Sequence, residues 1–354
     1  MPAAPRPSVA SMADLSRCWH NSRVSDADLA GRDVVLLLNV GSPAQPTEAA
    51  VASYLRDFLG DELVVSGMPG WFRGWLVNRV IVPRRTELAT NKYRYLWHVC
   101  GQNPLLANCT GLARALAERL QRPVLPAMRY GSPGAGELPG SLSHANSITL
   151  LPLFAHHTYS SRETALRHYR ARLTWRHPGP QLRVLRPYYN QPAFITALAG
   201  QARAALDDET LLVVSFHSIP NTHQRRGRRA GFDYVDQCRS TAKLLTAELG
   251  RDDTNTVVTF QSAMGRDWVG PLIEDEVACW PRRGWRRVAV LNPGFAVDCL
   301  ETVYDIGCRL REYFMAAGGV ELVRIDCLNT SQAAIDLFTQ LLDTDLVGPV
   351  AGRG

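Results

Sequence analysis

Short apolar runs alternate with longer stretches in which apolar positions recur every three or four residues, from about residue 33 almost to the end of the chain. Asp33–Val40 (DVVLLLNV) holds an unbroken apolar run over 34–38 and predicts a strand buried on both faces. A helix over 47–59 follows, its start marked by Pro46 and Thr47. Residues 64–101, rich in Trp, Arg and Tyr, show no clear period and read as irregular. A helix is expected over 110–121 and strands over 124–130 and 147–154. Ser160-Ser161-Arg162-Glu163 has the spacing of a capping box opening a helix to about Trp175. Strand 182–186 closes this half. The plan then repeats as helix 192–206, strand 210–216, helix 234–249, strand 256–261, helix 270–281, strand 287–291, helix 298–316, strand 320–325 and helix 332–342.

Strands alternating with helices predict parallel sheets covered on both faces. The expected fold is α/β: two similar doubly wound, Rossmann-like lobes with an active-site cleft between them. The expected division is a flexible extension (1–32), an N-terminal lobe (33–186) whose residues 64–101 form a cleft lip, a C-terminal lobe (187–328), and a closing helix with a frayed tail (329–354).

Composition narrows the picture. Hydrophobic residues make up 46% and charged residues 20% of the 354 positions, which is globular rather than disordered. The net charge is +6, and of the 39 basic residues only Lys92 and Lys243 are lysine. Arginine suits a grip on carboxylates or phosphates. The arginines are dispersed apart from Arg225 to Arg229 and no recognition motif appears, so no nucleic-acid partner is expected. The eight cysteines form no C-x-x-C pair and no secretory signal precedes them, which predicts reduced thiols and a cytoplasmic location. No apolar run approaches the roughly 20 residues of a membrane span.

Chemistry is expected at the carboxyl ends of the strands. Leu211–Ile219 places His217 there, and Pro220 stops any smooth continuation. Two readings fit the position: a hydrogen-bonded core histidine or a reacting group. The same rim should carry Val40, Arg129-Tyr130, Phe154 to His157, Ser218, Gln261-Ser262 and Pro293 to Phe295. Asp298, Glu301 and Asp305 fall on one face of the predicted helix 298–316. Asp298 alone reads as an N-cap.

Read together, Val35 to Pro43, Ser215 to Pro220, and Pro293-Gly294-Phe295 with Asp298-Cys299-Leu300-Glu301-Thr302 resemble ferrochelatases. Further matches fall in order: Pro83-Arg84-Arg85-Thr86 with Tyr93-Arg94, Met128-Arg129-Tyr130, Tyr234 to Cys238, and Phe260-Gln261-Ser262 through Trp268 to Gly270-Pro271. The resemblance covers about residues 33–340. It implies insertion of ferrous iron into a dicarboxylate porphyrin, protoporphyrin IX, to give protohaem. It gives His217 the roles of proton acceptor and iron ligand, Glu301 the facing acid that relays protons or guides metal, and Asp298 the support of Glu301. Arg129 would meet a porphyrin propionate, and Val40, Tyr130, Trp268 and Ser218 would contact the substrate. Iron is then a substrate, and no cofactor is implied. No iron–sulfur cluster is expected, because no cysteine follows Cys327 and the others are scattered.

The resemblance weakens at Phe154-Ala155-His156-His157-Thr158, where the family usually has Tyr-Pro-Gln-Tyr/Phe-Ser, and at Cys100 to Pro104. His156 and His157 form an extra metal-entry site only if both rings face one point, and adjacent side chains usually do not. Residues 68–82 interleave Trp, Phe and Arg, and are expected to touch a membrane surface peripherally. A non-catalytic porphyrin- or haem-binding paralogue, and a chelatase for coproporphyrin or for cobalt, are the alternative readings. Oligomeric state stays open.

Overall fold

The computed structural model describes residues 29–173 and 179–349. The predicted extension 1–32 lies almost wholly outside these residues, as does Trp175. Strands β1 (Asp33–Gly41), β2 (Val124–Tyr130), β3 (Ser147–Pro152), β4 (Gln181–Leu185) and β9 (Val347–Pro349) form one sheet in the order β2-β1-β3-β4-β9. Strands β5 (Thr210–His217), β6 (Thr256–Gln261), β7 (Arg287–Leu291) and β8 (Glu321–Arg324) form a second, ordered β6-β5-β7-β8. Every pairing is parallel except β4 with β9. The α-helices among the described residues are α1 (Glu48–Gly60), α2 (Gly70–Leu76), α3 (Val82–Cys100), α4 (Pro104–Leu120), α5 (Thr164–Arg172), α6 (Pro192–Arg203), α7 (Asn221–Arg229), α8 (Tyr234–Glu248), α9 (Arg311–Ala316) and α10 (Gln332–Leu342), besides shorter turns such as Ile273–Glu276.

The central strands β1 and β5 are buried nearly end to end, as continuous apolar runs require when helices cover both faces of a parallel sheet. One hydrophobic cluster runs through both sheets. It includes Leu37 of β1, Leu151 beyond β1 on β3, Phe216 of β5, Leu291 of β7 and Phe338 of α10. Helix α10 packs on α4 and α6, and β9 then returns to the first sheet. The expected frayed tail is therefore corrected as far as Pro349: Val347–Pro349 pair with Arg183–Leu185. At the exit of β1, Gly41 has φ +94, and a Cβ there would sit 1.8 Å from the Tyr130 carbonyl oxygen. Glycine lets β1 and β2 end side by side at that point.

Three local expectations are corrected. Residues 70–100 are helical rather than irregular, with α2 and α3 joined by a π-helical turn at Val77–Ile81. The apolar stripe of α3 escapes notice because threonines occupy inward positions. Thr86 and Thr90 return their hydroxyls to the Val82 and Thr86 carbonyls, each at 2.7 Å, so Thr90 is fully buried at little cost. Second, no capping box forms at 160–163. Tyr159–Glu163 is a π-helical turn entered from Thr158, whose hydroxyl meets the Ser161 hydroxyl at 2.5 Å. Third, helix 270–281 breaks into short turns, with Pro281 opening a fresh one.

Candidate active site

A cavity of about 240 Å³ opens at the carboxyl ends of the strands. Asn39 to Ser42 at the end of β1, Leu153, Phe154 and His156 after β3, His217 of β5 and Phe295 to Val297 after β7 supply much of its wall, to which α1, α3 and Glu301 add. The lining is mainly apolar, and among the described residues no lysine or arginine belongs to it.

His217 ends β5 and is held from several sides. Its Nδ1 lies 2.5 Å from the Ser218 carbonyl oxygen. A carbonyl only accepts, so Nδ1 carries the hydrogen, and in the neutral ring Nε2 keeps its lone pair. Tyr234 donates its hydroxyl to the His217 carbonyl (2.7 Å), and Ser218 donates its amide to the Gln261 carbonyl (2.8 Å). The Ser218 hydroxyl is spent on the Val269 carbonyl at 2.6 Å in a fully buried position. Ser218 thus fixes the histidine loop and does not line the cavity, in contrast to the expected substrate contact.

Glu301 is the first residue of a π-helix, Glu301–Leu310, and it lines the same cavity as His217. The i→i+5 geometry is rare and recurs at functional sites. Cys299 beside it is buried, and burial followed by the neighbouring Glu301 charge pushes its thiol pKa well up, so the sulfur stays protonated. Tyr54 and Tyr93, which also line the cavity, have phenol pKa values raised by burial and then by neighbouring groups including Glu301. Neither tyrosine stands at a strand end, so topology alone did not mark them. Tyr54 was reachable from the sequence as part of the 51–58 apolar face of α1.

Asp298 lies before the helix rather than on its face, so the expected row of three acids is corrected. Its carboxylate takes Arg324 (2.6 Å), Asn329 (2.7 Å) and the Thr302 hydroxyl (2.8 Å), and its own amide donates to Asn329 Oδ1 (2.8 Å). These bonds anchor the loop that delivers Glu301. Asp305 pairs instead with Lys92 of α3 at 3.0 Å.

Arg129 and Tyr130 end β2 but do not line the cavity. The Arg129 guanidinium pairs with Asp61 at 2.5 Å and donates to Thr164, while the Tyr130 hydroxyl donates to the same Asp61 oxygen at 2.8 Å. Trp268 is half-buried, bridged through its backbone to Pro220, and also lies outside the lining. Of the expected contacts, Val40, His217 and Glu301 meet at the cavity. His156 lines it as well, whereas the His157 ring packs on Phe232 at 3.8 Å, so the two imidazoles do not face one point.

An imidazole lone pair and a carboxylate on one mainly apolar cavity, at the ends of parallel strands, are the groups that can take protons from an apolar ligand and pass it a divalent cation. The ferrochelatase family profile matches residues 32–346. A ferrochelatase of Porphyromonas gingivalis is 32% identical over 342 residues, covering 91% of this chain and 99% of that protein. One from Edwardsiella ictaluri is 34% identical over 324 residues, covering 89% and 98%. A solved Deinococcus radiodurans multi-domain protein, described as structurally similar to chelatases, aligns at TM-score 0.45 and 14% identity over 88% of this chain and 54% of its own. The chain belongs to the ferrochelatase family. It is a porphyrin metal chelatase, a lyase that inserts iron into a porphyrin. No helix among the described residues is long and apolar enough to cross a membrane.

Proposed function

We propose that the chain metallates a dicarboxylate porphyrin, protoporphyrin IX, with ferrous iron to give protohaem. The supporting observation is the lining itself: it carries His217 and Glu301 but, among the described residues, no lysine or arginine. Burying an unpaired carboxylate costs several kcal/mol. A ring with two carboxylates can keep both at the mouth and send its apolar edge inward. A ring with four must press two against an uncharged wall. His217 Nε2 accepts a pyrrole proton, and Glu301 passes protons out or the cation in. Asp298 positions Glu301 through the loop it anchors. Arg129, held by Asp61, acts through the packing of the β2 end. Protoporphyrin IX is expected to exceed coproporphyrin III in kcat/KM by about tenfold or more, since one such charge penalty is worth at least 1.4 kcal/mol. Equal values for the two rings would overturn this choice of substrate.

Peripheral contact with a membrane surface belongs to the same reading. Helix α2 buries no residue, and Trp71 and Trp75 are 77% and 54% exposed, with Phe72 stacked on Trp75. Arg73 lies between the two indoles and Arg79 follows one turn on. Such a patch suits the interface of an anionic bilayer, where a hydrophobic substrate is held. The protein is expected to sediment with phosphatidylglycerol vesicles and to lose most of that binding as a Trp71→Ser, Trp75→Ser double variant. Absence of wild-type sedimentation rejects the membrane contact and leaves the chemistry untouched.

A further inference from the structure

His156 stands where this chain departs from the usual family segment, and the scheme above gives it no part. It follows β3, lines the cavity and is 3% exposed. Its Nε2 lies 2.9 Å from the Thr241 hydroxyl. That hydroxyl donates to the Tyr189 carbonyl at 2.6 Å, with the Gln237 carbonyl as the alternative acceptor at 3.2 Å. One hydroxyl has one proton, so toward His156 it accepts, and Nε2 carries the ring hydrogen. Nδ1 is left as a bare lone pair with no hydrogen-bond partner among the described residues. Burial holds the imidazolium pKa down to about 3, so the ring stays neutral throughout the working range. Phe216, Tyr234 and Tyr189 surround it at ring distances of 5.2, 6.1 and 6.1 Å and fix its orientation. A buried acceptor left unpaired costs about 1–3 kcal/mol, and such groups in folded proteins call for a reason.

We propose that His156 contacts the metal substrate: its Nδ1 lone pair accepts a hydrogen bond from water carried by the divalent cation as it enters the cavity. A hydrated cation presents donors only, and the mainly apolar lining offers few acceptors. His217 Nε2 and the Glu301 carboxylate are two, and His156, on the same lining, brings a third in Nδ1, which is itself buried and unpaired among the described residues. Among the described residues no three His, Cys, Asp or Glu side chains are grouped to hold a bare ion. His156 therefore acts through the ion's water rather than as a third ligand beside His217 and Glu301. This inference rests on the chelatase reading, because it needs a cation in the cavity.

Calorimetric titration of the full chain with Zn²⁺, without porphyrin, tests it. His156→Gln carries an amide that reaches Thr241 in place of Nε2 but puts nothing at the Nδ1 position. His156→Asn does the reverse, placing an amide oxygen near Nδ1. The Gln variant is expected to bind Zn²⁺ about tenfold or more weakly, the size of effect that outer contacts have on metal affinity, with protoporphyrin affinity and Tm unchanged. The Asn variant is expected to stay within about threefold of wild type, since it keeps the acceptor. Equal Zn²⁺ affinity in wild type and the Gln variant overturns the proposal. So does a joint loss of Zn²⁺ and porphyrin binding in both variants, which would mark His156 as a packing residue. Wild type that binds no Zn²⁺ also overturns it. Zn²⁺ binding without any metallation of protoporphyrin IX would sink the chelatase reading alone.

Discussion

His217→Ala is expected to lower the metallation kcat by about 10²–10⁴-fold, the usual worth of a positioned proton acceptor. Porphyrin affinity should change little. Among the described residues the side chain has one hydrogen bond, from Nδ1 to the Ser218 carbonyl. The backbone around it is held independently, by Tyr234 on the His217 carbonyl and by Ser218 on Gln261 and Val269. Truncation therefore removes the Nε2 lone pair and leaves the loop in place. Stopped-flow Zn²⁺ insertion into protoporphyrin IX gives kcat, and fluorescence titration gives porphyrin affinity. Added imidazole should restore part of the rate, because the truncation leaves room for a free ring where the side chain stood. A merely structural histidine would give no such rescue. A rate within threefold of wild type would remove His217 from the chemistry.

Glu301→Gln completes the pair. It keeps the shape of the side chain but not its charge. The expected loss is again in kcat, with KM for Zn²⁺ raised as well, since among the described residues Glu301 is the only carboxylate on the lining. If KM for Zn²⁺ and kcat both stay at wild-type values, the carboxylate has no part in guiding the cation.

Strand positions were legible because β1, β3, β5 and β7 are buried on both faces and so read as apolar-rich runs without alternation. Topology then places His217 and Val40 at one rim, and the resemblance adds Glu301. Which way a strand-end side chain points is a different matter. Arg129 and Tyr130 sit at the same rim by register, yet both turn to Asp61, a residue far off in sequence that no local pattern connects to them. Ser218 is adjacent to His217 but spends its hydroxyl on Val269. Asp298 has the composition of an N-cap, but Arg324 and Asn329 take its carboxylate before a helix can use it. Polar partners brought together by tertiary packing decided each of these. The helices α2 and α3 were missed for a local reason, self-satisfied threonines on the inner face.

The Asp61 cluster carries the largest expected effect on stability. One oxygen of Asp61 takes Arg129, the Tyr130 hydroxyl and the Thr164 hydroxyl (2.6 Å), and the other takes the Leu63 amide (2.8 Å). Asp61→Ala leaves a largely buried guanidinium and two hydroxyls without their acceptor. Breaking a buried ion pair from one side costs about 3–5 kcal/mol, and the partial exposure of Arg129 places the expected value near the lower end, about 3 kcal/mol. Urea unfolding should show that loss as a lower midpoint with an unchanged m-value. Burial raises the Asp61 pKa, but the Thr164, Leu63 and Tyr130 hydrogen bonds and the Arg129 charge outweigh it and hold the carboxyl below its ordinary value. A depressed folded-state pKa contributes stability above the unfolded value of about 3.9, and that contribution fades as pH falls through the lower folded value. Between pH 5 and pH 3 wild type should therefore lose more stability than Asp61→Asn, whose amide does not titrate. Parallel loss in the two proteins would mean that Asp61 carries no net ionic stabilisation. The same variants separate the two parts proposed for Arg129. If Arg129 only supports the end of β2, Asp61→Asn lowers Tm while kcat/KM for protoporphyrin IX holds. If releasing Arg129 from Asp61 instead improves KM for the dicarboxylate ring, the guanidinium reaches a propionate once its partner is gone.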